Sequence, residues 1–246
     1  MVYLAHTVHW QFLGLVIGCV GWILTMATAG HNEWRLWYVE DVSVVTSGVA
    51  WVGVWRACFY SHTLPDSEFC QPISIADLFV PVEISVAQVV IMVAVITGLL
   101  GNILGAYAVR NIYFGQKTHD FIRLTFSGAG GLYILTGVSF LVPLVWNVKS
   151  VLTNQTVAFP PEFHLPPAPL RQEVGGAIWM GVGASIFLIF GGLLFLCYRY
   201  VIRAKPVSGE NDKDPLHGPP IRLKSISENG DKETRDNPAF QADEDF

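Results

Sequence analysis

Charged residues are scarce in this sequence. Only 14% of its 246 residues are charged and 52% are hydrophobic, whereas an ordinary soluble domain is roughly 25% charged. A bilayer is spanned by about 20 apolar residues, and stretches that are apolar all round exclude the polar helix faces of a soluble core. The sequence therefore predicts four transmembrane helices, in the windows without Asp, Glu, Lys or Arg: 8–30, 84–109, 124–146 and 174–198.

Sequence signatures of catalysis are also missing. There is no nucleophile elbow, phosphate-binding loop or HExxH motif, and the seven histidines show no metal-ligand spacing. Gly128, Gly130 and Gly131 fall inside the third apolar window, where small residues allow close helix packing. No basic stripe for nucleic acid is present. We therefore expect no enzyme activity, cofactor, metal or nucleic-acid partner.

Basic residues in the short polar segments predict the orientation in the membrane. Because cytoplasmic loops carry the excess of Lys and Arg, both termini should be cytoplasmic, with loops 31–83 and 147–173 extracellular. A cleavage site at Ala27-Thr28-Ala29 would make the first window a signal peptide, but residues 1–7 carry no Lys or Arg, which favours a retained helix. The bases that set the orientation are Arg110, Lys117, Arg123, Arg199, Arg203 and Lys205.

The first outside loop carries two of the four cysteines. Cys58 and Cys70 can close a ring in the oxidising extracellular compartment, which would contribute roughly 3 kcal/mol on the chain-entropy estimate. The aromatic, alternating segments 33–39 and 49–60 each predict a strand, and segments 65–67 and 71–72 predict turns. We expect a small extracellular antiparallel sheet supported by the helices.

These residues also carry a family resemblance. Trp34, the triplet Gly53-Val54-Trp55, Cys58 and Cys70 resemble the claudin signature W…G-L-W…C…C. Supporting similarities cover about residues 8–203. The resemblance implies an all-α membrane domain at 1–203, a left-handed four-helix bundle with a small antiparallel β-sheet built mainly from the first loop. The supporting segments are Gly21-Trp22, Trp34-Arg35, Val142 to Trp146 and Glu173 to Ala177.

The sequence departs from the claudin pattern at several positions. Val54 replaces the usual leucine, and the spacing from Cys58 to Cys70 is a residue or two longer than is common. The segment from Phe159 to Phe163 only roughly resembles the aromatic-asparagine-proline turn by which claudins meet across cells. The usual C-terminal Tyr-Val is absent. The chain thus resembles a divergent claudin.

The resemblance implies a plasma-membrane protein of tight junctions, active in cell-cell adhesion and in the paracellular barrier or its ion selectivity. Its expected partners are other claudins or its own copies, in cis and in trans, and membrane lipids. The alternative is a claudin-like accessory or trafficking subunit of a channel or receptor, because the signature also occurs in the wider group of peripheral-myelin-protein-like tetraspans.

Loop charge is the candidate source of ion selectivity. Loop 31–83 holds seven acids and two bases, a net charge of −5. Asp66 and Glu68 precede Cys70, and Gln71 follows it, at the position where cation-selective claudins can carry a carboxylate. Two interpretations remain open: a pore-lining set, or a solvated face that keeps the loop soluble.

Other candidate sites lie elsewhere in the chain. Asn154 begins a glycosylation sequon in the second loop. Cys197, near the end of the fourth window, is either palmitoylated or a buried thiol. Phe159 and Phe163 are candidate trans-contact residues. Tail 204–246 should be disordered and cytoplasmic, and its last residues have the form of an atypical PDZ-scaffold ligand.

Overall fold

Four long helices dominate the structure, a computed structural model that describes residues 2–40, 42–63, 68–114, 119–166 and 168–203. All four contain a stretch long and apolar enough to cross a membrane, so the predicted transmembrane bundle is confirmed. The chain divides into residues 1–206 and 207–246; the second unit, like the predicted disordered tail, lies outside the described residues. The helices are α1 (Val2–Gly30), α2 (Val82–Phe114), α3 (His119–Leu152) and α4 (Gly176–Arg203).

Glycine permits a close approach between helices α3 and α4. A Cβ at Gly130 would lie 2.8 Å from the Gly192 carbonyl oxygen, and a Cβ at Gly192 would lie 2.7 Å from that of Gly130. A side chain at either position would therefore force the two backbones apart. Gly128 and Gly131 have no neighbouring atom within 4 Å of an added Cβ, so the packing expected of this glycine group is made by Gly130 alone.

The predicted small sheet is also confirmed, with five antiparallel strands in the order β4-β3-β2-β1-β5. Four strands come from the first loop, and one comes from the segment just before α4. The sheet thus ties the two polar loops together at one end of the bundle. The strands are β1 (Arg35–Tyr38), β2 (Val49–Val52), β3 (Arg56–Tyr60), β4 (Glu68–Pro72) and β5 (Arg171–Val174).

Two local predictions within the sheet are wrong. Segment 49–60 forms two strands, because the chain turns at Gly53, whose N–H donates to the Arg56 carbonyl at 2.9 Å. A Cβ at Gly53 would approach the Asn32 Cα to 3.0 Å, so a side chain there would crowd the connection between α1 and β1. Residues 71–72 end β4 and form no turn, since an edge strand tolerates proline. The fourth helix begins at Gly176, two residues after the start of the predicted window, because residues 173–174 close β5.

The two faces of the sheet differ in burial. On one face, here called the covered face, Trp37, Ala50 and Phe59 form a cross-strand row that packs against the second loop. On the other, the open face, Leu36 pairs with Trp51, and Trp51 with Cys58. Side chains alternate between faces along each strand, so the covered face provides the loop core and the open face is left for other contacts.

Candidate functional site at the sheet end of the bundle

The signature residues join the sheet to the bundle. Trp34 is fully buried, and its indole Nε1 donates to the Thr28 carbonyl at 3.0 Å. It belongs to one apolar cluster with Val54, Ile91 and Phe140. Because Val54 is also buried in this cluster, an aliphatic residue there serves packing. Trp34 and Val54 therefore stabilise the attachment of the sheet and offer no surface to a ligand.

Gln88 of α2 adds a polar attachment that the sequence analysis did not identify. Its side-chain Nε2 donates to the Val54 carbonyl at 2.8 Å and to the Ile73 carbonyl at 3.0 Å. Trp55, the next residue of the signature, is more exposed than Val54. Its carbonyl accepts a hydrogen bond of 2.7 Å from the Ile73 N–H. A polar residue in an apolar window was the only available sequence signal for this contact.

A buried ion pair links the first loop to two helices. Arg35 of β1 is 0% exposed, and its Nη2 lies 3.3 Å from the Glu83 Oε1 of α2. The same Nη2 donates to Ser150 Oγ of α3 at 3.0 Å, and Nε donates to Asn147 Oδ1 at 3.2 Å. Burial lowers the pKa of the Arg35 guanidinium, and the nearby Glu83 carboxylate opposes that shift.

This pair corrects the charge inventory of the first loop. Arg35 and Glu83 were both counted as loop charges, but the structure places both in the interior. Without them the loop retains six acids and one base, and its net charge remains −5. The excess negative charge therefore belongs to the remaining residues.

The cysteines and the charge candidates meet in the hairpin of β3 and β4. Cys58 and Cys70 are direct cross-strand partners joined by a disulfide. Glu68 is exposed and pairs with Tyr60 on the open face, whereas Gln71 pairs with buried Ala57 on the covered face. Glu68 and Gln71 therefore point to opposite sides of the sheet. Asp66 lies outside the described residues.

The charges at the opposite sheet edge neutralise each other. Arg171 and Glu173 of β5 form an ion pair, and the Tyr38 hydroxyl donates to Glu173 Oε2 at 3.0 Å. The Arg171 guanidinium carbon also lies 5.7 Å from the centroid of the Tyr38 ring. Arg171 therefore adds no net charge at the β5 edge of the open face.

The candidate trans-contact residues pack inside the chain. Phe159 is 7% exposed and Phe163 is 6% exposed. Their rings stack at 5.3 Å, Trp37 meets Phe159 at 5.4 Å, and Phe79 meets Phe163 at 5.2 Å. These contacts hold the second loop on the covered face. A role for either phenylalanine between cells stays a prediction that would require this cluster to open.

The two modification candidates are accessible. Asn154 is exposed just after α3, with a φ of 52° that asparagine tolerates better than most residues. Cys197 is an exposed free thiol on α4. Accessibility is necessary for glycosylation or palmitoylation, and both modifications stay predictions. The C-terminal scaffold ligand falls outside the described residues.

One cluster has the spacing of metal ligands. In the described part of the chain, Cys58, Glu68 and Cys70 place their ligand atoms within 4.8 Å of one another. Both sulfurs belong to the disulfide, so neither is available as the thiolate that metals prefer. The geometry is that of a hairpin and does not make a metal centre.

Apolar surface is exposed close to the sheet as well as along the helices. Leu78, between β4 and α2, is 104% exposed, and nearby Ile75 is 53% exposed. On α3, an apolar groove of about 490 Å³ is lined by Leu141, Val142, Val145, Trp146 and Lys149. A projecting leucine and an apolar groove are complementary features located on different parts of the chain.

Comparison with known proteins supports the resemblance found in the sequence. The family model described as PMP-22/EMP/MP20/Claudin tight junction matches residues 19–197. Claudin-5 of Mus musculus is 28% identical over 201 residues, covering 80% of this chain and 85% of the relative. Claudin-2 of Homo sapiens is 24% identical over 227 residues, covering 87% and 93%. Claudin-6 of Homo sapiens is 22% identical over 189 residues, covering 76% and 80%.

Proposed function

Because the chain belongs to the PMP-22/EMP/MP20/claudin family, we propose that it is a multi-pass tight-junction protein that joins neighbouring cells and controls paracellular passage. The observation that carries this proposal is the family match over residues 19–197 together with the four-helix bundle and its disulfide-closed sheet. The role is structural and non-enzymatic. It requires an assembly of chains at the cell surface.

The proposed orientation places the sheet outside the cell and both termini in the cytoplasm. The helix connection at 115–118 is flanked by Arg110 and Arg123, and the region around the end of α4 carries Arg199 and Arg203. Basic residues near helix ends favour the cytoplasmic side. An outside location also gives Cys58 and Cys70 the oxidising environment that a disulfide needs.

Side-by-side assembly in one membrane is supported by Leu78 and the α3 groove. Leu78 is fully exposed, and its side chain would be removed from water by entering the α3 groove of a second copy. Because the two features lie on different surfaces, the contact between copies would be head-to-tail. A head-to-tail contact that does not close into a ring generates an open filament, which is the form a junction strand requires.

Loop charge supports a cation-tolerant paracellular path. The first loop has a net charge of −5, Glu68 projects from the open face, and Arg171 is neutralised by Glu173. A path lined by carboxylates favours cations. Under the alternative interpretation, these acids only solvate the loop, and replacing Glu68 with glutamine would leave the Na⁺ to Cl⁻ permeability ratio unchanged.

Freeze-fracture imaging of contacts between junction-poor fibroblasts tests the proposed function. Expression of the chain should produce strands, and the Leu78→Asp variant should reach the surface without forming them. Leu170→Asp is the matched control, because Leu170 is also an exposed leucine, on the second loop. Surface expression of the unaltered chain without strands, with or without a co-expressed claudin, would refute the assembly proposal.

A further inference from the structure

A pocket of about 300 Å³ lies at the junction of the sheet and the first helix. One wall is the turn at residues 30–33, which connects α1 to β1. The other wall belongs to the open face and consists of Trp51, Cys58, Tyr60 and Glu68. None of the interactions described above uses the interior of this pocket. Its lining comes from segments far apart in sequence, so only the folded chain forms it.

The lining combines aromatic rings with carboxylates. The Trp51 and Tyr60 rings meet edge to face, with centroids 5.2 Å apart. Glu33 on the turn and Glu68 on β4 are the two acidic residues of the lining. Aromatic faces attract cations, and carboxylates bind the planar guanidinium group through paired hydrogen bonds. An anion would meet repulsion from both acids.

Polar contacts hold the turn that forms the first wall. Asn32 Nδ2 donates to the Cys58 Sγ at 3.4 Å, and Asn32 Oδ1 accepts from the Arg56 Nε at 2.8 Å. The Glu33 N–H donates to His31 Nδ1 at 3.3 Å. The wall is therefore attached to β3, the strand that contains Cys58 and Arg56. Arg56 also places a positive charge beside the pocket, and this charge opposes the binding of a cation.

We propose that this pocket binds a guanidinium group, which stacks on Trp51 and pairs with Glu33 and Glu68. The group is carried either by a small free cation or by an arginine side chain of a partner protein, because both present the same chemistry. This proposal does not depend on junction strands, since the pocket is complete within one chain. The site is separate from the buried Arg35 pair, which takes no part in it.

Saturation-transfer NMR with methylguanidinium tests the proposal on the full chain in lipid nanodiscs. At constant ionic strength, we expect saturable binding with a Kd on the order of 10 mM, the sum of a few exposed contacts. Glu33→Gln and Glu68→Gln should each weaken binding about two- to fivefold, and Trp51→Leu by a similar factor. Glu162→Gln, an exposed acid on the second loop, is the matched control and should change nothing.

Arg56→Gln provides a test that misfolding cannot imitate. Removing the competing positive charge should strengthen methylguanidinium binding about twofold, and an unfolded chain would not gain affinity. Competition by the capped peptide acetyl-Gly-Arg-Gly-amide would assign the site to a protein side chain, and binding of methylguanidinium without such competition would assign it to a free cation. Either no saturable binding, or equal binding in the wild type, Glu33→Gln and Glu68→Gln, overturns the proposal.

Discussion

The buried ion pair between Arg35 and Glu83 should be the most sensitive polar contact at the sheet end. In the Glu83→Gln variant, the Arg35 guanidinium remains fully buried but loses its only described charged partner. Breaking a buried pair from one side costs about 3–5 kcal/mol, because the remaining charge is uncompensated. For a domain of this size, about 3 kcal/mol corresponds to a fall of roughly 6–12 °C in melting temperature.

Thermal unfolding of the purified chain in one detergent, followed by the loss of monodisperse protein, measures this change. The matched control is Glu173→Gln, which breaks the Arg171 pair at the exposed sheet edge. Arg171 is 68% exposed at its side chain, and an exposed pair contributes about 0–1 kcal/mol. The control should therefore melt within about 2–4 °C of the unaltered chain.

A double variant separates lost pairing from lost packing. In Arg35→Met with Glu83→Gln, no charge remains buried without a partner, so the chain should be more stable than Glu83→Gln alone. The reasoning is refuted if Glu83→Gln melts like the Glu173→Gln control. It is also refuted if the fall in melting temperature of the double variant equals the sum of the falls for Arg35→Met and Glu83→Gln alone, because the two side chains would then act independently.

Three further substitutions test other parts of the fold by the same melting assay. Cys58→Ser should cost about 2–5 kcal/mol of stability, because the disulfide ring is no longer closed. A melting temperature equal to that of the wild type with its disulfide intact would contradict this expectation. Gly192→Leu should prevent the close approach of α3 and α4 and lower the folded yield, whereas Gly183→Leu, where an added Cβ meets nothing within 4 Å, should not. Trp34→Phe should cost at least about 1 kcal/mol, because it removes the hydrogen bond to Thr28 and part of a buried ring; equal stability would show that neither contact contributes.

Long-range apolar patterns are the part of this fold that the sequence predicts best. A window of 23 or more residues without a charge has few structural solutions, because a bilayer requires a helix whose backbone groups are all paired. The disulfide is similarly constrained, since one polar loop holds two cysteines 12 positions apart. These features depend on composition over a whole segment, so small local irregularities do not obscure them.

Local strand boundaries and buried polar pairs could not be predicted in this way. The aromatic pattern of 49–60 continues through Gly53, so it does not reveal the turn there. Strand β5 has only four residues, too few for alternation to identify. Arg35 and Ser150 are 115 positions apart, and a sequence count treats every loop charge as solvated. Only the packing of β1 against both helices removes Arg35 from water.

The residues that identify the family are therefore different from those that can set the function of this member. Trp34 and Val54 are buried where the sheet meets the bundle, so their presence constrains the fold. Glu68 and Leu78 lie on the surface, where substitutions leave the core intact and change only what the chain meets. Relatives at 22–28% identity can thus share the architecture while differing in charge and assembly. Measurements of permeability and strand formation on surface variants, with the core unchanged, are consequently the ones that distinguish this chain from its relatives.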